Sequence, residues 1–186
     1  RVWPPALAFS HAYAQSPERG RAAAVCNYQA LALDLAALGI SVNCAPVLDV
    51  PEAGAHDIIG DRAFGAEPAV VAELGAALLE GFALSGVVGV VKHIPGHGRA
   101  LADSHEALPR VTASIEALNR DLAPFKALAH APMAMTAHIV YDAWDAEQCA
   151  TLSPKGIGEV IRGQIGFDGL LMTDDLDMKA LEGPVP

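Results

Sequence analysis

Four short apolar runs constrain this chain more than anything else in it. Residues 40–46 (ISVNCAP), 87–93 (VVGVVKH), 132–138 (PMAMTAH) and 169–174 (GLLMTD) are near-continuous rather than alternating. Strands written that way are covered on both faces. Between them lie helical stretches. The first spans 16–39, with Ser16 placed to cap it, Pro17 suited to its first turn and Gly39 to end it. A second spans 67–86 and a third 114–130, where Pro124 is expected to break or restart the helix. Ser153 and Pro154 open a fourth. Helix alternating with buried strand predicts a parallel sheet layered with helices.

Each run closes on a polar side chain: the first continues into Val47-Leu48-Asp49, the others end at Lys92-His93, His138 and Asp174. Ligands of α/β folds bind at the C-terminal ends of the strands. A barrel accounts for the pattern better than an open sheet, because all these ends then face one pocket. A closed (β/α)₈ barrel takes about 250 residues, and this chain has 186. The expected fold is therefore an α/β, TIM-type barrel that is incomplete, with about four βα units. No linker or low-complexity tract interrupts residues 1–186, which read as a single domain.

Hydrophobic residues make up 52% and charged residues 18%, which excludes a disordered chain. No apolar run is long enough to span a membrane. With 22 acidic against 12 basic side chains the net charge is −10, so the surface repels phosphate backbones and nucleic acid is not an expected partner. Cys26, Cys44 and Cys149 form no CxxC pair and suit a reducing compartment, as small buried hydrophobes. The first residue is arginine, and no secretory signal is visible at the start.

Ionisable chemistry concentrates in residues 92–109, KHIPGHGRALADSHEALP. Its glycines and prolines forbid an unbroken helix, and it is too polar for a buried strand, so an irregular, movable loop is expected. Within it, Asp103 stands two residues before His105, close enough to orient the imidazole, and a histidine can give and take a proton at neutral pH. A solvated turn is the plainer account of the same residues. Asp174, directly after an apolar strand, suits a nucleophile or a metal ligand, and Asp175 suits the cap of a following helix equally well. Lys92, His93 and Arg62 can clamp substrate oxygens or simply meet solvent and packing. His93 and His97 have helical metal-ligand spacing, but Pro95 and Gly96 between them remove the helical face. No phosphate-binding glycine motif follows a strand, and Ser104 and Ser153 lack nucleophile-elbow context.

KHIPGHG, ADSH and ALP, with GDRAFG upstream and GFDGLLMTDDLDM downstream, together with APVLDV and MTAHIVY, closely resemble glycoside hydrolase family 3 in its β-N-acetylglucosaminidase branch. The resemblance covers nearly the whole chain. It implies a barrel-type catalytic domain working by double displacement, with Asp174 as nucleophile, His105 as acid/base and Asp103 as its dyad partner. Arg62, Lys92 and His93 match positions that bind N-acetylglucosamine. It further implies a small carbohydrate substrate, N-acetylglucosamine-containing muropeptides, met in the bacterial cytoplasm during peptidoglycan recycling, with no metal or other cofactor. Some relatives act as phosphorylases. Two further sugar-binding positions of the family, an Asp and an Arg near the N-terminus, have no counterpart in RVWPP, so an incomplete pocket and weak or no activity of the isolated chain are expected. Two alternatives stand beside this reading. One is a metal-dependent hydrolase using His93, His97 and His138. The other is a truncated relative that binds sugar without catalysis.

Overall fold

The computed structural model describes residues 2–181. It opens with α1 (Ala6–Gln15), α2 (Pro17–Ala37) and β1 (Val42–Asn43). A 3-10 turn at Gly60–Arg62 precedes α3 (Pro68–Ala83), β2 (Val88–Ile94), β3 (Arg110–Val111) and α4 (Ile115–Ala127). β4 (Met133–Thr136), β5 (Val140–Tyr141) and β6 (Asp145–Cys149) follow, then a π-wound helix over Gly156–Ile165, β7 (Leu170–Met172) and a 3-10 turn at Lys179–Leu181.

The main sheet runs β1-β2-β4-β7, every pair parallel. A helix lies in each connection between these neighbours, so among the described residues three βα units and a fourth strand stand where about four units were expected, and their strand ends share one rim. β1 and β7 have one strand neighbour each among the described residues, which makes the sheet an arc of a barrel. The core lies between sheet and helices. Phe82 and Leu74 of α3, Leu122 and Phe125 of α4, and Val91 and Ile94 of β2 are all at most 1% exposed. Each such side chain contributes about 1.5–3 kcal/mol by leaving water.

Several expectations need correction. α1 was not anticipated, nor was a second sheet, β3-β5-β6, whose core residues Val111, Ile139 and Tyr141 pack with Ala100 and Leu118. Ser16 precedes α2, but its side chain makes no capping bond. Gly39 does end that helix: φ is +78°, Gly39 N–H donates to Ala36 C=O and Ile40 N–H to Leu35 C=O. Pro124 sits inside α4 without breaking it. A proline removes its own bond to the preceding turn and crowds the carbonyl there, and burial of Leu118, Leu122 and Phe125 on one face offsets that cost. The first strand is shorter than expected because Ala45 N–H turns back to Asn43 C=O and Pro46 has no N–H to offer; pairing resumes at a Val47–Lys92 bridge. Cys149 is buried as anticipated, whereas Cys26 and Cys44 are exposed. No described helix is long and apolar enough to cross a membrane.

Candidate active site

The polar stretch after β2 is not one loop. Lys92, His93 and Ile94 belong to the strand, and His93 and His97 are 6% and 4% exposed. Both backbone N–H groups and the His93 Nδ1 find a buried partner, whereas His97 Nδ1 has none among the described residues. The partner is Asp49, itself fully buried. Leu48 N–H donates to Lys92 C=O at 2.6 Å, which carries Asp49 alongside the end of β2. There Asp49 Oδ1 accepts the N–H groups of His93 (3.2 Å) and His97 (2.6 Å), and Oδ2 accepts His93 Nδ1–H at 2.7 Å. Burial works to raise the Asp49 carboxyl, but His93 and His97 outweigh it and hold the group below the usual carboxylate range. In β2 the pairing steps from Lys92–Met135 to Ile94–Thr136, skipping His93, and such an irregularity re-aims a strand-end side chain.

The opposite nitrogen of His93, Nε2, lies 3.8 Å from Asp174 Oδ2. Asp174 follows β7 and is part-exposed, with its side chain at 23%. Its Oδ1 accepts Asp175 N–H at 2.9 Å. Asp175 N–H is thus spent on Asp174, and its carboxylate accepts Asp177 N–H at 2.9 Å, a turn rather than the cap of a long helix.

Gly98 brings the next loop in close. A Cβ there would stand 1.9 Å from Val50 C=O, and Gly98 C=O accepts Glu52 N–H. Beyond it, Asp103 Oδ1 accepts both His105 N–H (2.8 Å) and His105 Nδ1–H (2.7 Å). The His105 backbone N–H first, and its imidazole after it, hold the Asp103 carboxyl below its ordinary value. The His105 side chain is 60% exposed and its Nε2 is left for whatever enters. The loop is not a free strap, however. Ser104 is buried, its Oγ lies 3.1 Å from His97 Nε2, and its C=O accepts Ala180 N–H.

Arg62 sits on the 3-10 turn, donating to Ile58 C=O (2.7 Å) and Ile59 C=O (3.3 Å). One pocket of about 90 Å³ gathers Arg62, Lys92, His93, His105 and Asp174, with His97 and Ser104 in its wall. Asp103 stands behind His105. Larger depressions of 740, 560 and 460 Å³ exist, the last lined by Asp61, Arg62 and Lys92, but none of them holds His93, His105 or Asp174. Convergence, not size, marks the site; typical small-molecule pockets are about 300–1,000 Å³.

The trio His93, His97 and His138 has no common focus. His138 spends Nδ1 on Thr151 and Nε2 on the Asp175 carbonyl, and among the described residues no three His, Cys, Asp or Glu side chains converge as a metal site. Sequence reasoning places Asp49 on the rim but gives it no role. It carries the same sign that singled out Asp174, a carboxylate directly after a buried apolar run.

A family model, Glycosyl hydrolase family 3 N terminal domain, matches residues 2–185. Over 179 residues the chain is 41% identical to a beta-hexosaminidase of Alkalilimnicola ehrlichii, covering 94% of this chain and 51% of that protein. Among solved structures it superposes on NagZ from Neisseria gonorrhoeae, in complex with N-trifluoroacetyl-D-glucosamine, with TM-score 0.87 at 35% identity, covering 94% of this chain and 52% of that one. A glycoside hydrolase family 3 beta-N-acetylglucosaminidase from Paenibacillus sp. str. FPU-7 gives TM-score 0.83 at 39% identity, over 87% of this chain and 31% of its own length. The chain spans about half the length of the curated relatives it matches.

Proposed function

Because the chain belongs to glycosyl hydrolase family 3, we propose that its pocket is the catalytic part of a retaining exo-β-N-acetylglucosaminidase, with residues 1–186 forming one catalytic unit. The observation that carries this is the single pocket lined by Asp174, His105, Arg62, Lys92 and His93. Asp174 attacks the anomeric carbon as the glycosidic C–O bond breaks, and His105 protonates the departing oxygen. The result is a glycosyl ester on Asp174. Neutral His105 then takes a proton from water, whose oxygen attacks the same carbon and releases Asp174. Two inversions give net retention. Asp103 orients His105 through the 2.7 Å bond to Nδ1, which leaves Nε2 to exchange the proton. Asp49 plays the corresponding part for His93, which faces Asp174.

Arg62 and Lys92 supply donors for the sugar's hydroxyl and acetamido oxygens. N-acetylglucosamine-bearing muropeptides released in cell-wall recycling, in the bacterial cytoplasm, are the substrate class this reading favours. Similarity to a beta-hexosaminidase and to a NagZ bound to N-trifluoroacetyl-D-glucosamine supports the sugar, and the pocket's polar wall supports a hydroxylated ligand. Trapping with a 5-fluoro N-acetylglucosaminyl fluoride, followed by peptide mapping, tests the assignment. One event per molecule suffices, so even a slow site is read. Label on Asp174 is expected; label on any other residue, Asp175 included, refutes the mechanism.

A further inference from the structure

His138 is 1% exposed, and the proposed reaction does not use it. Both ring nitrogens are engaged: Nε2 lies 3.0 Å from the Asp175 carbonyl oxygen and Nδ1 lies 2.7 Å from Thr151 Oγ1. A carbonyl oxygen only accepts, so Nε2 carries a hydrogen. Thr151 Oγ1 lies in turn 2.8 Å from Thr136 Oγ1 and 3.1 Å from the Ala137 carbonyl oxygen. Whichever way that hydroxyl turns, Nε2 remains a donor. The two threonines are buried, so the ring plane is fixed by strand end β4 on one side and by the segment after β6 on the other.

The segment that His138 grips is tied to the rest of the fold at few points, the bond from Ala180 N–H to Ser104 C=O among them. The ladder between β4 and β7 ends at Met135–Met172, so sheet pairing stops short of Asp174. Asp174 Oδ1 instead accepts the N–H of Asp175, and Oδ2 faces His93 Nε2. Asp175 is therefore held at both ends, its N–H by the Asp174 carboxylate and its C=O by His138 from across the fold, together with the Met178 N–H of its own turn at 3.2 Å.

We infer that His138 is a positioning residue for Asp174: by fixing Asp175, whose N–H binds Oδ1, it turns the carboxylate so that Oδ2 is presented at His93 and the pocket they line. It touches no substrate. This rests on the reading of Asp174 as the reacting group, while the contacts themselves do not.

The test combines a spectrum with a rate. In a long-range ¹H–¹⁵N spectrum of the 186-residue chain, His138 is expected with hydrogen on Nε2, and the Asp175 amide is expected to exchange slowly. His138→Gln keeps a donor near the Nε2 position, whereas His138→Phe keeps the bulk and loses the donor. Asp175 amide protection should survive in the Gln variant and fall at least about tenfold in the Phe variant. A bare Nε2 in the wild-type chain, or an Asp175 amide indifferent to both substitutions, overturns the inference. Should the Phe variant not fold, the wild-type protonation site and the Gln spectrum still decide. On an aryl N-acetylglucosaminide, Phe should lower kcat on the order of 10²-fold with KM held within about twofold, and Gln should restore most of the loss. A rise in KM at unchanged kcat contradicts a positioning role. Absence of turnover in the wild-type chain would match the incomplete pocket expected from the sequence, and the amide result alone would then decide the inference.

Discussion

Two Asp–His pairs, each with a 2.7 Å contact to Nδ1, flank the same pocket in opposite surroundings. Asp49–His93 is buried, with both side chains at 7% exposure or less; in Asp103–His105 the histidine side chain is 60% exposed. The chemistry of the pairs is alike and the burial differs. A buried pair cannot reorient without leaving unpaired polar groups in a dry interior, so it fixes geometry. An exposed pair stays open to water and to whatever enters the pocket, so it can exchange protons there. The buried pair stands beside Asp174, and the solvent-facing pair carries His105 on a loop anchored through Ser104.

Breaking the comparison begins beside the buried pair. Asp174→Asn should lower kcat on the order of 10⁴-fold while the chain's thermal unfolding midpoint stays within a few degrees, because its carboxylate is part-exposed. An active Asn variant would remove the nucleophile from this account. Next, Asp49→Ala should destabilise by about 3–5 kcal/mol in urea unfolding, since it strands His93 and two N–H donors in the interior. The matching change on the exposed loop, Asp103→Ala, should stay within about 1 kcal/mol and act on turnover instead. Equal losses of stability would erase the distinction between the pairs.

The smallest effect is a pH signature. His97 is lowered mainly by burial, so the fold favours its neutral form. The stability this lends is whole above about pH 6.5 and is lost as pH falls through the folded value. Asp49 is depressed, so its contribution is whole above about pH 4 and drains below it. Acid unfolding of the wild-type chain should therefore show a shallow loss below about pH 6.5 that steepens below about pH 4. Asp103→Ala should leave that profile nearly intact. A profile flat from pH 7 to 4 would contradict the burial of His97.

Much of this was legible in the sequence, and the misses have physical reasons. β2, β4 and β7 announce themselves because strands covered on both faces are continuously apolar, and their rim follows from where polarity returns. β6 (Asp145–Cys149) has neither apolar run nor alternation, so the second sheet leaves no pattern to read. α1 hides because Ser16-Pro17 reads as the first start signal in a region where helix runs nearly unbroken from Ala6 to Ala37. The loop's chemistry was visible, but its division was not. That His93 and His97 go inside depends on Asp49, more than forty residues earlier, and a partner so distant leaves no local trace.

The measurement that bears most directly on the division of labour is the rate of His105→Ala across aryl N-acetylglucosaminides of graded leaving-group acidity. General acid assistance is worth about 10²–10⁴-fold. The account predicts a loss of that size for the poorest leaving groups, shrinking steadily as they become more acidic. A loss of the same size across the whole series would mean that His105 donates no proton to the departing oxygen.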